Sequence, residues 1–164
     1  MDSDKTEVPG AVTFRDPARV PKDVATARFV PRDPDDEAAY DAVYRWAFTH
    51  YPRFVWLDEA GQAAPAQGGP RWLNTYQVQG RKRSLGHVAC HTRPREVNRN
   101  LIAQANHVFI FDLPNPDDRR HIANLVGLPV AELEADLFAL PDHGFLWWDG
   151  DVLLSCPPLK VRRT

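Results

Sequence analysis

The chain has 164 residues, 43% hydrophobic and 26% charged, with a formal net charge of −2, which suits a single domain with a real core. No apolar run approaches the roughly 18–20 residues of a membrane span, and the acidic start Met-Asp-Ser-Asp-Lys does not read as a secretory signal. Two cysteines, Cys90 and Cys156, make no disulfide framework and suit a reduced, cytoplasmic setting.

Residues 1–10 read as disordered or truncated, and residues 11–164 as one α/β domain. Ala11–Arg15 and Ala27–Val30 are short strand candidates separated by Asp-Pro and Val-Pro turn chemistry. Asp35-Asp36-Glu37 then opens a helix with acids in its first turn. Tyr40, Val43, Tyr44, Ala47, Phe48 and Tyr51 follow at i, i+3, i+4, i+7, i+8 and i+11, an amphipathic spacing that Pro52 stops. Phe54-Val55-Trp56-Leu57 is a continuous apolar run, the pattern of a strand buried on both faces of a parallel sheet, and it leads directly into Asp58-Glu59.

The Gly- and Pro-rich residues 60–70 read as a flexible loop, 71–79 as a helix ended by Gly80, and Leu85–His91 as a second strand. Pro94 starts a helix carrying Val97, Leu101 and Ile102, and His107–Leu113 is a third strand, again apolar into an acid. Asn115-Pro116-Asp117-Asp118 caps and charges a helix over 117–126 that Gly127 and Pro129 close. Val130, Leu133, Leu137 and Leu140 give a further helix. Phe145–Trp148 and Val152–Leu154 flank Asp149-Gly150 as a hairpin. Strands alternating with helices predict an α/β fold with a mainly parallel sheet flanked by helices and a C-terminal β-hairpin.

Charge is unevenly spread. Residues 71–103 carry seven basic and one acidic side chain, and residues 104–151 carry two basic and nine acidic. The central basic block suits nucleotide or DNA phosphates or an acidic neighbour, and equally a solvated face. Ligands of open α/β sheets bind outside the carboxyl ends of the strands, where Asp58 and Glu59 fall. In P-loop NTPases an acid there holds Mg²⁺ and a neighbouring acid positions water. Their usual partner, G-x-x-x-x-G-K-[ST], occurs nowhere in the 164 residues.

Phe54-Val55-Trp56-Leu57-Asp58-Glu59-Ala60-Gly61 resembles the Walker B strand of additional-strand P-loop ATPases. Gly80-Arg81-Lys82-Arg83, then Leu85-Gly86-His87-Val88-Ala89-Cys90-His91-Thr92-Arg93-Pro94, is similar to the next segment of the HerA/FtsK superfamily, where a basic turn leads into a strand ending in a T-Q-R-P-like motif. Gln104–Leu113 and the Asp117-Asp118 helix continue the likeness, which covers roughly residues 50–130. The resemblance implies a partial RecA-like core related to phage and conjugation ATPases, with DNA as partner and Mg²⁺ and ATP as cofactors if active. The chain departs from that pattern twice: the phosphate loop is missing, and Thr92 stands where the sensing Gln falls.

On that resemblance Asp58 contacts Mg²⁺ through the nucleotide, Glu59 orients the attacking water and Thr92 senses the γ-phosphate. Arg93 is the first choice for an arginine finger serving a neighbouring subunit. Arg81 is a further nucleotide contact, and Lys82, Arg83, Arg95 and Arg99 are nucleic-acid contacts. A homo-oligomer, or a partner chain or upstream sequence supplying the phosphate loop, then becomes the expectation. The competing expectation is a catalytically inactive binding module that engages DNA or a protein through the basic block.

Three local readings remain. His87 and His91 share a strand face, which with Asp58 could serve a metal, although polar residues lining a strand end explain them as well. Trp147-Trp148 suits base stacking or the capping of a core. Neither Cys90, Cys156 nor Ser155 sits in a nucleophile turn.

Overall fold

The computed structural model describes residues 8–20, 24–50 and 53–160. Tyr51 and the helix-stopping Pro52, and most of the N-terminal segment, lie outside them. The chain divides into two compact units, residues 1–90 and 91–164.

In the first unit, β1 (Val12–Phe14) and β2 (Ala27–Phe29) pair in parallel. The Phe14 and Phe29 rings meet at 5.4 Å, and Phe29 meets Tyr40 edge to face, joining this ribbon to α1 (Glu37–Thr49). Asp36 caps α1 by accepting the Ala39 N–H at 3.0 Å. β3 (Phe54–Leu57) and β4 (Gly86–Ala89) form a second parallel pair in the register Phe54↔Gly86 to Leu57↔Ala89. The crossover between them contains α2 (Ala60–Ala63), α3 (Arg71–Gln79) and a 3₁₀ turn over Gly80–Arg83.

α1 and α3 pack together, burying Tyr44, Ala47, Phe48, Leu73 and Tyr76. Tyr44 and Tyr76 both set ring edges against His87 of β4. The Tyr76 hydroxyl lies 2.9 Å from the Gly86 carbonyl and 3.2 Å from that of Arg53, which ties α3 to the start of both strands.

Two expectations change in this unit. The apolar run 54–57 is covered on one face only: Phe54 is 62% and Trp56 65% exposed. Alternation on that face is hidden in the sequence because the outward residues are aromatic too. Residues 60–70 are also not all loop. Small residues let Ala60–Ala63 wind into one helical turn, with Ala60, Ala63 and Ala64 buried.

The second unit begins with a 3₁₀ turn at Pro94–Glu96, followed by α4 (Arg99–Ala103). The single helix expected from Pro94 is thus two pieces. Val97 is extended, at φ −104° and ψ 156°, and the Asn98 side chain caps the second piece by accepting the Asn100 N–H at 2.9 Å.

A three-stranded sheet, β5 (Val108–Ile110), β6 (Phe145–Trp148) and β7 (Leu153–Cys156), is antiparallel throughout. The third apolar-to-acid run is therefore not a further parallel strand. α5 (Pro116–Val126) and α6 (Val130–Phe138) pack on one face of this sheet. Ile110, Leu113, Ile122, Ala123, Leu133, Leu137 and Leu146 form the core. The hairpin turn is held by the Asp149 carboxylate, which accepts the N–H groups of Asp151 and Val152 at 3.0 Å, with Gly150 at φ +101°. Small parallel and antiparallel sheets flanked by helices make this an α/β fold.

Candidate functional site

Parallel pairing brings the carboxyl ends of β3 and β4 to one rim. The ladder continues past the strands: Cys90 N–H bonds the Leu57 carbonyl and Ala60 N–H bonds the Cys90 carbonyl, each at 2.9 Å. Those two bonds clamp the Asp58-Glu59 turn against the end of β4. Asp58 and Glu59 are both exposed there. Glu59 takes up the left-handed conformation, φ +50° and ψ 57°, at the start of α2. For a residue with a Cβ that conformation costs roughly 1–2 kcal/mol, and such outliers gather at functional sites. Burial, with a further contribution from the Asp58 charge, pushes the Cys90 thiol pKa up.

The other sequence candidates divide by place. Arg81, Lys82 and Arg83 lie in the turn before β4, at the opposite end of the strand pair from Asp58 and Glu59. Four residues of strand separate those ends by roughly 13 Å. Arg83 lays its guanidinium over the Phe48 ring, 4.4 Å from its centre. His87 is packed between two tyrosines, and burial pushes its pKa down to about 4. Among the described residues no three His, Cys, Asp or Glu side chains gather as a metal site, so the His87–His91–Asp58 reading is not supported.

Thr92, Arg93, Arg95 and Arg99 belong to the second unit, and all four are exposed. Arg93 donates through Nε to Asp118 Oδ2 at 2.7 Å and pairs with Glu96 at 3.5 Å. The hydrogen bond to Asp118 and its charge raise the Arg93 pKa. Asp118 is only 1% exposed and also accepts the Arg95 N–H at 3.2 Å. Sequence reasoning missed that role: the second acid of Asp117-Asp118 is a buried clasp on the Thr92–Arg95 segment, not a dipole-complementing surface charge. The only available signal was the proximity in type of Arg93-Pro94-Arg95 and the acidic pair. Trp147 stacks on Phe109 with ring centres 6.3 Å apart, and its Nε1 donates to His107 Nδ1 at 3.3 Å.

This architecture defines the class: the chain has a partial P-loop NTPase fold, shared with solved genome packaging NTPases. The particular likeness is to the genome packaging NTPase B204 of Sulfolobus turreted icosahedral virus 2. Against its AMPPCP complex the TM-score is 0.77 at 15% identity, over 92% of this chain and 74% of that one. Against its ATP-gammaS complex the TM-score is 0.69 at 17% identity, over 84% and 69%. B204 from Sulfolobus Turreted Icosahedral Virus, described as the DNA-packaging ATPase, gives 0.64 at 16%, over 82% and 68%. No protein-family model matches the chain, and no curated protein matches its sequence.

Proposed function

We propose that the chain is the Walker B-bearing part of a DNA-associated, HerA/FtsK-type P-loop ATPase, working in the cytoplasm as an oligomer. On this reading it hydrolyses ATP only when another chain or upstream sequence supplies the phosphate loop. The observation that carries the reading is the strained Asp58-Glu59 turn, clamped to the rim of a parallel pair in the fold of a packaging NTPase.

Mg²⁺ is commonly held by one or two carboxylates, with waters and substrate phosphates completing its shell. One exposed Asp58 carboxylate fits that requirement with a nucleotide present and fails it alone. Asp58 would hold the ion, which when bound neutralises phosphate charge. Glu59 would orient or deprotonate water at the same rim, and Thr92 would sense the γ-phosphate. Arg93, already anchored on Asp118, is the first choice for a finger across a subunit boundary, with Arg81 as a second contact in trans. Lys82, Arg83, Arg95 and Arg99 would meet DNA.

The test is ATP turnover of the chain mixed with a phosphate-loop-bearing partner or extended upstream, against the same preparation carrying Glu59→Gln. Loss of a water-positioning carboxylate should lower turnover by about 10²-fold or more; turnover unchanged by the substitution removes Glu59 from the mechanism. A second reading, an inactive module that engages DNA or protein through residues 71–103, is favoured by the absence of G-x-x-x-x-G-K-[ST] from the 164 residues. It predicts DNA binding with no nucleotide dependence.

A further inference from the structure

Parallel strands occur almost only in sheets with both faces covered, because their crossovers place helices there. In the β3–β4 pair, α1 and α3 cover one face, setting Tyr44 and Tyr76 against His87. The other face carries Phe54 and Trp56 of β3 and Val88 of β4, at 62%, 65% and 37% exposure. Gly86 lies opposite Phe54, and Val88 opposite Trp56. None of the four is polar. Phe54 leans across onto its neighbour strand: a Cβ on Gly86 would fall 2.5 Å from the ring. The missing side chain thus lets an exposed ring lie flat, with Trp56 and Val88 beyond it. Flatness gains little for a ring left in water; it matters to something packed on top.

Charge and size select the occupant. Asp58 and Glu59 are exposed at one end of the ribbon, Arg81 and Lys82 at the other, with roughly 13 Å of strand between them. An α-helix has the matching polarity, partial positive charge at its N-terminus and negative at its C-terminus, and about nine residues span that length. Nucleic acid fits poorly, since its phosphates would meet the acidic end. A second copy of the chain fits poorly too. The three apolar side chains offer roughly 300 Å², against about 800 Å² per partner in a stable interface. That area cannot hold two copies together alone, but it matches the single apolar stripe of a short helix.

We propose that the bare face of β3–β4 seats an amphipathic partner helix, with its N-terminus at the Asp58-Glu59 rim and its C-terminus toward Arg81 and Lys82. Covering this face requires no ATP hydrolysis, so the helix site and the proposed activity fail separately.

The test uses the full chain and a fluorescent amphipathic peptide of about 18 residues, long enough to hold a helix. It carries a Leu/Ala stripe, lysines in its first turn and glutamates in its last. Anisotropy should show saturable binding that weakens with salt. Trp56→Gln and Gly86→Ala should each weaken it on the order of tenfold with the melting temperature unchanged. Cys90, whose backbone is bonded to the acidic turn, reports direction. A peptide with an activated disulfide at its first residue should cross-link to it, and one activated at its last residue should not. Cross-linking from the last residue alone would overturn the proposal, as would binding that neither substitution affects. Self-association that Trp56→Gln abolishes but the peptide fails to displace would also overturn it, assigning the face to a second copy.

Discussion

His87 shows how one residue type changes meaning with its neighbours. As a strand residue four positions from His91 it suggested metal; packed between Tyr44 and Tyr76 it is a neutral imidazole. Its pKa falls to about 4 from an ordinary value of 6.5 because burial disfavours the cation. The unfolded chain therefore binds the extra proton first. Stability should be flat above about pH 7, fall as pH drops from 6.5 to 4, and change little below that through this group. The total loss is at most roughly 3 kcal/mol. Urea midpoints across that range measure it, and His87→Leu should flatten the curve if the histidine is responsible. Glu59 carried no comparable signal, since its left-handed backbone follows from the clamp between Ala60 and Cys90 rather than from its own chemistry.

At the scale of elements, the legible parts were those whose stop and start signals are local. Asn115 and Gly127 sit where their chemistry put them: a cap, and a left-handed helix end at φ +75°. Asn115 Oδ1 accepts the Asp117 N–H at 2.8 Å. Asn115→Ala should cost about 1 kcal/mol, read as a lower melting temperature, while Asn115→Ser should recover most of it. The broken helix after Pro94 was not legible, because Val97 satisfies both a helical apolar spacing and an extended bridge between two turns. Strand direction was not legible for β5 either. An apolar run ending in an acid looks alike in parallel and antiparallel company, and only the pairing with Phe145–Trp148 decides it.

At the scale of the molecule, each unit has a sheet with helices on one face and aromatic side chains on the other. Phe54 and Trp56 line the bare face in the first unit; Phe109 and Phe111, 56% and 51% exposed, line it in the second. Exposed patches of this kind mark interaction surfaces or aggregation hazards, and two-stranded ribbons gain little stability alone. The chain should self-associate, with a sedimentation coefficient rising with loading concentration. Trp56→Gln should reduce that association without lowering the melting temperature, since the side chain is 65% exposed. A monomer at every concentration would contradict it. Fold class was readable at this scale because alternation of strands and helices survives in the sequence. The division into two units was not, because no linker-like composition marks residue 90.

Cys90 gives the acidic rim a reporter native to the chain. Burial and the Asp58 charge raise its thiol pKa, which should slow its alkylation. A cation seated on Asp58 would cancel that field, and labelling kinetics would quicken with metal titrated in alongside ATP. Cys156 provides the internal reference, so occupancy of the rim could be followed by mass spectrometry with no engineered probe.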